Sequence, residues 1–511
     1  MTLADSERRG DAVADVIVVG AGGSGMTAAA SAAALGLKVI VVEKDAKVGG
    51  TTGLSVGSIM AAGGAFQKRA GIEDSPADHA RDLDAIRTTM GAQDDPELRA
   101  LLTENVADTV EFLRSIGVNF LAPLPQPPHT KSRLHQVMPT SRAYVQRLHR
   151  LCRQLGVEIR LGTPLTRIVV ENGRVGGIEA RSGNRDIRLT ARRGVVLASG
   201  DLGGNNQLMH KYLRNWVPGI EVYNPNNTGD GHVAAAAVGG HIVPRKDLGA
   251  EMSAAIRFVK PRDSLIQKIP PYPSVTRALI LAMKVLPDWL IRPFMMKFLT
   301  TTLGPDRIMY QQGAILVNMR GERFADELNA PNVLIPQQPD GLAYLVFDER
   351  FAQKFRRWPY FISTAPGVAF AYLDDYRAAR PDLFNRAPSI EALAARLGMP
   401  PDGLARTIAE TNRAREPEMQ LLEAPFYALG PVKTWVLIGP VGLSVNTRLQ
   451  VLDEAGAAIP GLYAVGQVAQ GAMTLSGHGH GLGWAFTSGR LVARSLAGAR
   501  AAEPPNIRAA E

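Results

Sequence analysis

Two segments at opposite ends of the chain constrain its fold more than any other feature. Residues 15–44 have the sequence DVIVVGAGGSGMTAAASAAALGLKVIVVEK, in which an apolar strand, a glycine turn and an alanine-rich helix precede a second strand ending at Glu43. This order is typical of the unit that binds the ADP half of a dinucleotide. Residues 459–490, IPGLYAVGQVAQGAMTLSGHGHGLGWAFTSGR, run from a strand through a glycine-rich turn into a helix. Together the two segments predict one cofactor held by both ends of the chain.

The glycine turn carries the GxGxxG pattern at Gly20, Gly22 and Gly25. The first glycine allows a tight turn, the second lets the backbone approach a pyrophosphate, and the third lets the helix pack on the strand. Glu43 follows about 20 residues further on, where a carboxylate accepts ribose hydroxyls. The alternative is a glycine turn in another kind of α/β protein. The predicted cofactor site also includes the adjoining Gly23, Ser24 and Lys44.

The segment after the second strand distinguishes a flavin from a nicotinamide cofactor. It contains small-residue turns around Gly50, Thr51 and Thr52, and again around Gly57 and Ser58. Residues this small suit a backbone that lies against a flat ring system. A plain nicotinamide-dependent dehydrogenase has no need of such a segment, so the sequence predicts FAD.

Composition excludes several classes of function. The chain has 511 residues, 46% of them hydrophobic, which is enough for a large core and two intertwined domains. Its net charge of +9 comes without a basic run interleaved with aromatic residues, so we predict scattered surface cations and no nucleic-acid partner. The single cysteine, Cys152, excludes a disulfide framework and a dithiol redox centre. Residues 1–14 lack the apolar stretch of a secretory signal, so we expect a cytoplasmic location.

Secondary-structure signals place the rest of the chain around the nucleotide-binding unit. We predict helices over 97–117 and 140–155 and a hairpin whose turn is Asn172-Gly173. Residues 241–430 are more irregular and proline-rich. The predicted fold class is α/β, a doubly wound Rossmann-type FAD-binding domain with an inserted α+β cap domain. The predicted domains are 1–240 for the first part of the FAD-binding domain, 241–430 for the cap or substrate domain, and 431–511 for the C-terminal part of the FAD-binding domain.

Residues 273–303, PSVTRALILAMKVLPDWLIRPFMMKFLTTTL, form an unusually apolar stretch of the cap. Charged residues and two internal prolines interrupt it, so it has no run of about 20 apolar residues that could span a membrane. Aromatic residues and methionines beside cations are typical of a helix pair at a membrane interface, which would give the protein a peripheral membrane contact. The alternative is a cap helix packed on the body of the protein. Either arrangement could border an entrance for a lipophilic substrate.

Six motifs in a fixed order give the chain a family resemblance. They are DVIVVGAGGSG, the GG(TT) turn, the VLASG strand, NTGDG, AILVNMRGERFADE and IPGLYAVGQV. In this order they resemble the FAD-dependent fumarate reductase and 3-ketosteroid dehydrogenase superfamily, over nearly the whole chain except residues 245–305. The resemblance implies one FAD bound in extended form across the first domain, with a cap domain over the flavin ring.

The resemblance also implies roles for individual residues. The glycine turn would hold the pyrophosphate, and Glu43 would hold the adenosine ribose. The last helix would present the amides of Gly481 and Leu482 to the flavin, where the positive helix end favours an anionic reduced form. The segment after Glu43 lacks the histidine that carries covalent flavin in succinate dehydrogenases, so the FAD should be non-covalent. The other residues carried over are Thr51, Thr52, Gly57 and Ser58 along the flavin and ribityl chain, Leu165, Ser199 and Gly200 on the adenine side, Asp230 in the GDG turn, and Gly466 with Gln467, which replaces the usual glutamate.

Three departures from the fumarate reductases argue against a dicarboxylate substrate. Fork-like arginine side chains are what satisfy two carboxylates well. In this chain the matching positions hold neutral or apolar residues, or lack the arginine. They are the stretch Glu327–Pro331, Ser476, Leu437 and Ile438.

The ketosteroid dehydrogenase branch fits the sequence better. In that branch a tyrosine hydroxyl and a backbone N–H before the last helix polarise a ring ketone, and a second tyrosine moves a proton. The backbone position matches Gly479. The tyrosine near it is absent, so His478, His480 or Ser476 would supply the second donor. Tyr310, just before QQGAILVN, is the candidate proton-moving tyrosine.

The histidines of the glycine-rich loop and of the proline-rich loop can also be interpreted without a catalytic role. For His478 and His480 the alternative is to cap the helix that follows them. We predict no metal site there, because no third histidine or cysteine is nearby in the sequence. His129 and His135 either wall the pocket or, as we expect, lie in solvent.

Electron exchange is expected to involve an external partner. The stretch GDLGGNN at 200–206 is not a second GxGxxG motif, and no dithiol is present. The partner would be a quinone, an electron-transfer protein or a dye. We predict an FAD-dependent oxidoreductase that dehydrogenates, or in reverse reduces, a C–C bond adjacent to a ketone in a lipophilic, 3-ketosteroid-like substrate. The alternatives are a fumarate reductase-like ene-reductase acting on another unsaturated small molecule, and a flavin-binding protein without catalysis.

Overall fold

A computed structural model describes residues 11–259, 270, 272–365, 369–475 and 477–498. Its strands are β1 (Ala12–Val19), β2 (Val39–Val42), β3 (Ser58–Met60), β4 (Asn119–Phe120), β5 (Leu134–Met138), β6 (Glu158–Arg160), β7 (Leu165–Glu171), β8 (Arg174–Ser182), β9 (Arg185–Leu197), β10 (Leu213–Arg214), β11 (Glu221–Val222), β12 (Arg245–Gly249), β13 (Ala254–Phe258), β14 (Ile315–Val317), β15 (Ala343–Phe347), β16 (Ser363–Ala365), β17 (Ala369–Ala371), β18 (Phe384–Ala387), β19 (Phe426–Val436), β20 (Gln450–Leu452) and β21 (Ala458–Ala464).

Helices connect and cover these strands. They are α1 (Gly23–Ala34), α2 (Gly50–Leu54), α3 (Ala65–Arg69), α4 (Pro76–Thr89), α5 (Pro96–Ser115), α6 (Arg142–Gln154), α7 (Asn206–Tyr212), α8 (Asp230–Ala236), α9 (Ala250–Ser253), α10 (Pro273–Val285), α11 (Asp288–Thr302), α12 (Arg307–Gln311), α13 (Glu349–Lys354), α14 (Leu373–Ala379), α15 (Ile390–Leu397), α16 (Pro401–Arg413) and α17 (His480–Ala497). Short 3₁₀ turns span Pro331–Val333, Ile335–Gln337, Pro339–Gly341, Pro417–Met419 and Gly466–Ala469.

The main sheet has the strand order β20-β21-β9-β1-β2-β6, and the hairpin β7–β8 joins it through β9. Strand β1 pairs in parallel with both β2 and β9, and α1 is the crossover between β1 and β2. The four residues of β2 are all buried, as expected for a parallel strand covered on both faces. The structure thus confirms the predicted doubly wound α/β fold.

The C-terminal segment returns to this first domain. Strand β21 pairs in parallel with β9, with Leu462 opposite Val195. Helix α17 then packs directly on α1: a Cβ added to Gly489 would lie 2.6 Å from the Ser24 carbonyl oxygen. Only glycine allows so close a helix–helix approach at this point. Both ends of the chain therefore build one domain.

The cap is organised around a second sheet, in which β19 is paired with β11, β13, β15 and β18, and β14 extends it beyond β15. One face packs into an apolar cluster that includes Phe258, Leu345, Phe347 and Tyr427. Residues 426–436 form β19, which pairs both with cap strands and with β11, a strand from the range 1–240. The predicted domain boundaries themselves stay predictions.

Local predictions outside the site agree with the structure. The predicted helices at 97–117 and 140–155 correspond to α5 and α6. In the β7–β8 hairpin, Asn172 and Gly173 both have positive φ, of 50° and 72°, which suits a two-residue turn. Cys152 is buried and free, as expected for a chain with a single cysteine.

The apolar stretch at 273–303 forms α10 and α11. Met296 and Leu299 of α11 are buried in the cap cluster. On α10 the end of the helix is exposed: Leu281 is 61% and Val285 71% accessible. Within the described residues, no helix combines the length and the apolar character needed to cross a membrane.

Candidate cofactor and active site

The glycine turn leaves a space beside Gly22. A Cβ added to Gly22 would meet nothing within 4 Å, whereas one on Gly25 would lie 1.9 Å from the Gly20 carbonyl oxygen. Gly20 has φ +109° and would place a Cβ 2.5 Å from the Ala198 carbonyl oxygen. Two glycines are therefore required by the fold, and the third opens a cradle at the N-terminus of α1. Free N–H groups and the helix dipole at such an end favour an anion such as a pyrophosphate.

Glu43 lies beside this cradle. Its Oε2 accepts a 2.7 Å hydrogen bond from the Ala21 nitrogen, and its Oε1 accepts one of 2.9 Å from the Asp45 nitrogen. The Thr163 nitrogen donates to the Glu43 carbonyl oxygen at 2.8 Å, which brings the start of β7, and with it Leu165, to the same edge of the sheet. A half-buried carboxylate fixed in this way has lone pairs left for ribose hydroxyls.

Lys44 and Asp230, both predicted to bind the cofactor, pair with each other. The Lys44 Nζ lies 2.7 Å from Asp230 Oδ2 and 2.6 Å from Thr228 Oγ1. The pair joins the second strand to the start of α8. A direct contact of either residue with the cofactor stays a prediction.

The two threonines after the second strand are held differently. Thr52 Oγ1 accepts a 3.1 Å bond from the Gly23 nitrogen, at the beginning of α1. Thr51 Oγ1 accepts bonds from the side-chain amides of Asn224 and Asn227, at 2.9 and 3.0 Å. The turns at 20–25, 50–52 and 224–230 thus form one hydrogen-bonded wall.

The sequence analysis did not identify Asp201, a buried acid that is hydrogen-bonded to this wall. The Asn227 side-chain nitrogen also donates to Asp201 Oδ2 at 2.7 Å, and the Gly203 nitrogen donates to Asp201 Oδ1 at 2.7 Å. Burial raises the pKa of the Asp201 carboxyl to about 6 in spite of these bonds. The NTGDG motif that contains Asn227 was the only sequence signal for it. Gly200 lies against the same amide, since its added Cβ would be 3.0 Å from Asn227 Oδ1.

Ser199 supplies an orphaned polar atom. Its Oγ is buried and has no hydrogen-bond partner in the structure. A Cβ on Gly231 would lie 2.3 Å from this oxygen, so α8 approaches it as closely as glycine permits. A buried hydroxyl without a partner is rare in proteins, and a bound polar group on the adenine side would satisfy it.

The two glycine-rich ends meet at β3. The Met60 nitrogen donates to the Gly479 carbonyl oxygen at 3.4 Å, and a Cβ on Gly479 would lie 2.7 Å from that nitrogen. Gly57 has φ +92° and a carbonyl oxygen that accepts a 2.7 Å bond from the Tyr144 hydroxyl, while Ser58 begins β3 and is buried. Segments distant in sequence are therefore joined where the resemblance places the flavin.

The C-terminal residues of the predicted site surround the start of α17. The Gly466 nitrogen donates to Ser488 Oγ at 2.9 Å, and its added Cβ would lie 2.6 Å from Ser24 Oγ on α1. A Cβ on Gly481 would lie 3.3 Å from Ile438 Cδ1 and 3.8 Å from Gln467 Oε1. Leu482 packs against the main core at its edge.

His478 lies on the cap side of this turn and is half-buried. Burial and the positive charge of Arg257 lower the pKa of the His478 imidazole to about 4. Arg257, on β13, is also half-buried, and its guanidinium donates to the Thr302 carbonyl oxygen. Burial raises the pKa of the Tyr223 hydroxyl, and the charge of Arg257 opposes that rise. The positive charge of Arg257 thus influences the pKa values of two side chains outside β13. We refer to Arg257 and Tyr223 as the polar face of the site.

Sequence reasoning missed both Arg257 and Tyr223. Arg257 lies in the stretch 245–305 that the family resemblance does not cover, and neither residue belongs to a motif. Arg257 is marked only by its effect on His478 in the fold, and Tyr223 only by its closeness to Arg257.

Tyr310 lies within the apolar cluster of the cap and is buried. Its hydroxyl has no hydrogen-bond partner in the structure. Burial raises the pKa of this hydroxyl, and the carboxylates of Glu327 and Asp306 raise it further. The proton-moving role of Tyr310 stays a prediction that its electrostatic surroundings do not favour.

The other predicted histidines are more buried than the sequence suggested. His135 is 1% exposed on β5, and its Nδ1 donates a 2.7 Å hydrogen bond to the Arg133 carbonyl oxygen. The side chain of His129 is 3% exposed. The expectation that these two lie in solvent is wrong, because the proline-rich loop folds onto α4 and β5. His480 is 1% exposed. Ser476 lies outside the described residues.

The structure combines a cradle at the N-terminus of the first crossover helix, a fixed carboxylate at the end of the next strand, and a C-terminal helix packed on that crossover helix. This combination defines a protein that binds a flavin dinucleotide across a Rossmann-type domain. Residues 15–252 and 294–483 match the family model described as the FAD binding domain, and the chain belongs to this family. FAD is therefore its cofactor, and the cradle beside Gly22 and the orphaned Ser199 hydroxyl fit that group.

Relatives come from both branches of the superfamily. The NADH:acrylate oxidoreductase of Vibrio harveyi is 25% identical over 89% of this chain, which spans 47%, about half, of that relative. The 3-oxosteroid 1-dehydrogenase of Mycolicibacterium smegmatis is 25% identical over 96% of this chain and 98% of the relative. The fold is similar to that of an open flavocytochrome c3 fumarate reductase, with TM-score 0.71 and 22% identity over 97% of this chain and 80% of that one. The chain is thus an FAD-dependent oxidoreductase, and equal identities of 25% do not separate the branches.

Proposed function

We propose that this oxidoreductase dehydrogenates, or in reverse reduces, a C–C bond adjacent to a ketone in a lipophilic, 3-ketosteroid-like molecule. The observation that carries the proposal is the juxtaposition of neutral His478 with the start of α17 and the polar face of Arg257 and Tyr223. This arrangement offers hydrogen-bond donors to one carbonyl oxygen. It does not reproduce paired clamps for two carboxylates, since Leu437 and Ile438 stand at two of those positions.

We propose that His478 and the α17 amides polarise the carbonyl group of the substrate. With a pKa of about 4, the His478 imidazole is neutral at pH 7 and can donate one N–H without becoming a proton source. The Gly479 amide and the positive end of α17 add a fixed dipole where negative charge develops on the substrate oxygen. Bound FAD supplies the hydride acceptor or donor.

Tyr223 is the residue that we propose moves the proton. A tyrosine in this role passes through a phenolate, which a neighbouring cation stabilises and neighbouring carboxylates destabilise. Arg257 stabilises the phenolate of Tyr223, whereas Glu327 and Asp306 act against that of Tyr310. Tyr310, the candidate from the sequence, therefore serves as the control for Tyr223 in the assay below.

The cap supports a lipophilic substrate and an external partner. Leu281, Val285 and Leu290 at the junction of α10 and α11 are exposed at 61%, 71% and 47%. We propose that this surface lies beside the substrate entrance and touches a membrane surface peripherally. Electrons then pass between the flavin and a quinone, an electron-transfer protein or a dye, because this chain has no dithiol.

Arg257 favours a second candidate function, the reduction of an unsaturated carboxylic acid. Among the described residues it forms no ion pair with a carboxylate, and a half-buried guanidinium is suited to bind one. The Vibrio harveyi relative is named an NADH:acrylate oxidoreductase, which supports this candidate. Here a single arginine would hold one carboxylate.

Turnover with a dye as electron acceptor tests the first proposal. A panel of 3-ketosteroids should be dehydrogenated by the wild type. Tyr223→Phe should lower turnover by about 10²–10⁴-fold, and His478→Ala by about 10²–10³-fold. Tyr310→Phe is the matched control and should stay near the wild-type rate. Flavin absorbance must be retained in all three variants, and loss of turnover only in Tyr310→Phe would return the proton-moving role to that residue.

The same assay separates the two candidate functions. If reduced dye drives reduction of unsaturated acids and no ketone reacts, the second candidate replaces the first. Arg257→Met should then abolish the acid reaction, and the exposed Arg277→Met on α10 should not.

Non-covalent attachment of FAD is part of the proposal, since the stretch 49–64 contains no histidine, cysteine or tyrosine. Acid precipitation should release the flavin into the supernatant. Colour retained by the pellet would show a covalent bond.

A further inference from the structure

Three histidines from distant parts of the chain converge beside the start of α17. His79 on α4, His129 in the proline-rich loop and His480 each place one ligand atom within 4.8 Å of the others. The Nε2 atoms of His79 and His480 are 3.1 Å apart. His79 is 0% exposed and His480 1%, so the cluster is closed to bulk solvent. The sequence pattern predicts no metal site at His480, because His79 and His129 lie far from it along the chain and outside the recognised motifs.

The cluster is not explained as ordinary core packing. Burying imidazole costs free energy unless its ring nitrogens have hydrogen-bond partners. Among the described residues His79 Nδ1 is buried without a hydrogen-bond partner, and Nε2 of the same ring faces a second imidazole, that of His480, at 3.1 Å. The ring centroids of His129 and His480 are 5.0 Å apart, so three polar rings share a space that apolar residues would fill at lower cost.

The charges around the cluster suit a cation. Neutral imidazole is the form that binds metal ions. The His79 and His480 residues and the His129 side chain are 0%, 1% and 3% exposed. The facing charged groups are Arg133, Asp74 and Asp82. Arg133 donates to both carboxylates, so one guanidinium is shared between two acids and the group is net negative.

We propose that His79, His129 and His480 bind one divalent transition-metal ion of the zinc class, each through a ring nitrogen. Zinc–nitrogen bonds of about 2.0–2.1 Å in a tetrahedral shell put ligand nitrogens about 3.3 Å apart. The observed 3.1 Å between His79 and His480 is close to this, and a small shift of the His129 loop closes the remaining distance. Three histidine ligands leave one position of the shell for water.

Asp82 completes the chemistry of the site. Its Oδ2 lies 3.7 Å from His129 Nδ1, and Arg133 Nη1 lies 3.4 Å from the same atom. Both members of this ion pair therefore face Nδ1, which leaves Nε2 of the ring for the ion. A carboxylate beside the second nitrogen of a ligating histidine commonly fixes its orientation and raises its basicity. The bound ion would connect α4 and the proline-rich loop to the first residue of α17. It would thereby fix the position of the start of α17.

Metal content tests the proposal without a substrate. The FAD-loaded protein is purified without a polyhistidine tag, treated with a chelator, desalted and titrated with Zn²⁺ by calorimetry, and bound metal is measured by mass spectrometry after gel filtration. The wild type should bind one Zn²⁺ per chain. His129→Gln and His79→Gln should weaken binding by about 100-fold or more. His210→Gln, at an exposed histidine of α7, is the matched control and should bind like the wild type.

Flavin absorbance shows whether each variant is folded. Zinc binding should also raise the thermal unfolding temperature of the wild type and of His210→Gln, but not that of His129→Gln. If the wild type takes up no stoichiometric Zn²⁺, Co²⁺ or Ni²⁺, the proposal is overturned and the 3.1 Å contact is a hydrogen bond between two rings. Equal affinity in His129→Gln and the wild type would also overturn it. If a variant loses its flavin, the wild-type titration alone decides.

Discussion

Glu43 Oε2 accepts a 2.7 Å hydrogen bond from the Ala21 nitrogen, so the carboxylate that ends the second strand is fixed to the glycine turn that begins the first helix. One side chain therefore joins the two parts of the structure that we propose hold the ADP half of FAD. The bond links a local sequence pattern to a site that forms only when the sheet is assembled.

Removal of the Glu43 carboxylate should weaken FAD binding. Hydrogen bonds to a charged group contribute about 1.5–3 kcal/mol, which corresponds to roughly 10–100-fold in the dissociation constant for Glu43→Ala. Fluorescence titration of the apoprotein with FAD measures this. Glu158→Ala, at an exposed position of β6, is the control and should bind FAD like the wild type. Unchanged affinity in Glu43→Ala would remove this residue from the site.

Replacement by alanine should have different effects at Gly22 and at Gly25. Gly22→Ala places its methyl group in the open cradle, so the chain should fold but lose FAD affinity. Gly25→Ala places a methyl group 1.9 Å from a backbone oxygen, so it should impair folding itself. Circular dichroism and flavin content separate the two effects. Tight FAD binding by Gly22→Ala would show that the cradle does not hold the pyrophosphate.

Arg133→Met should destabilise the protein strongly. The guanidinium is 0% exposed and donates to Asp74 at 2.6 and 2.8 Å, and the Asp74 side chain is also 0% exposed. Removing one partner of a buried ion pair leaves an uncompensated charge and costs about 3–5 kcal/mol. Denaturant unfolding measures the cost. Arg81→Met, whose side chain is 75% exposed in its pair with Asp78, should change stability by less than about 1 kcal/mol.

Stability should fall as the pH decreases from about 6.5 to about 4. His232 is 0% exposed, and burial lowers the pKa of its imidazole from 6.5 to about 4. Within this window the unfolded chain binds a proton that the folded chain does not, so the free energy of unfolding falls with pH by up to about 3 kcal/mol for this residue. His232→Asn should reduce the slope in thermal unfolding across that window, and the exposed His210→Asn should leave it unchanged.

The extent to which the sequence predicts this structure depends on how local each feature is. The GxGxxG turn, Glu43 and the Asn172-Gly173 hairpin were predictable because short patterns determine backbone conformation and register nearby. The meeting of His79 with His480, and of Arg257 with His478, was not predictable. These pairs join separate elements, and their proximity depends on how the proline-rich loop and the cap pack. Burial of His135 was missed for the same reason, since the loop composition alone suggests solvent.

The proposed reaction can be observed in an anaerobic titration of the oxidised, FAD-loaded protein with 3-ketosteroids. We predict that at least one such ketone bleaches the flavin absorbance and is recovered with one additional carbon–carbon double bond. The Tyr223→Phe variant should bleach more slowly by about 10²–10⁴-fold while it retains its FAD. Absence of bleaching by every ketone, with rapid reoxidation of the reduced protein by unsaturated acids or with no reaction at all, would contradict it.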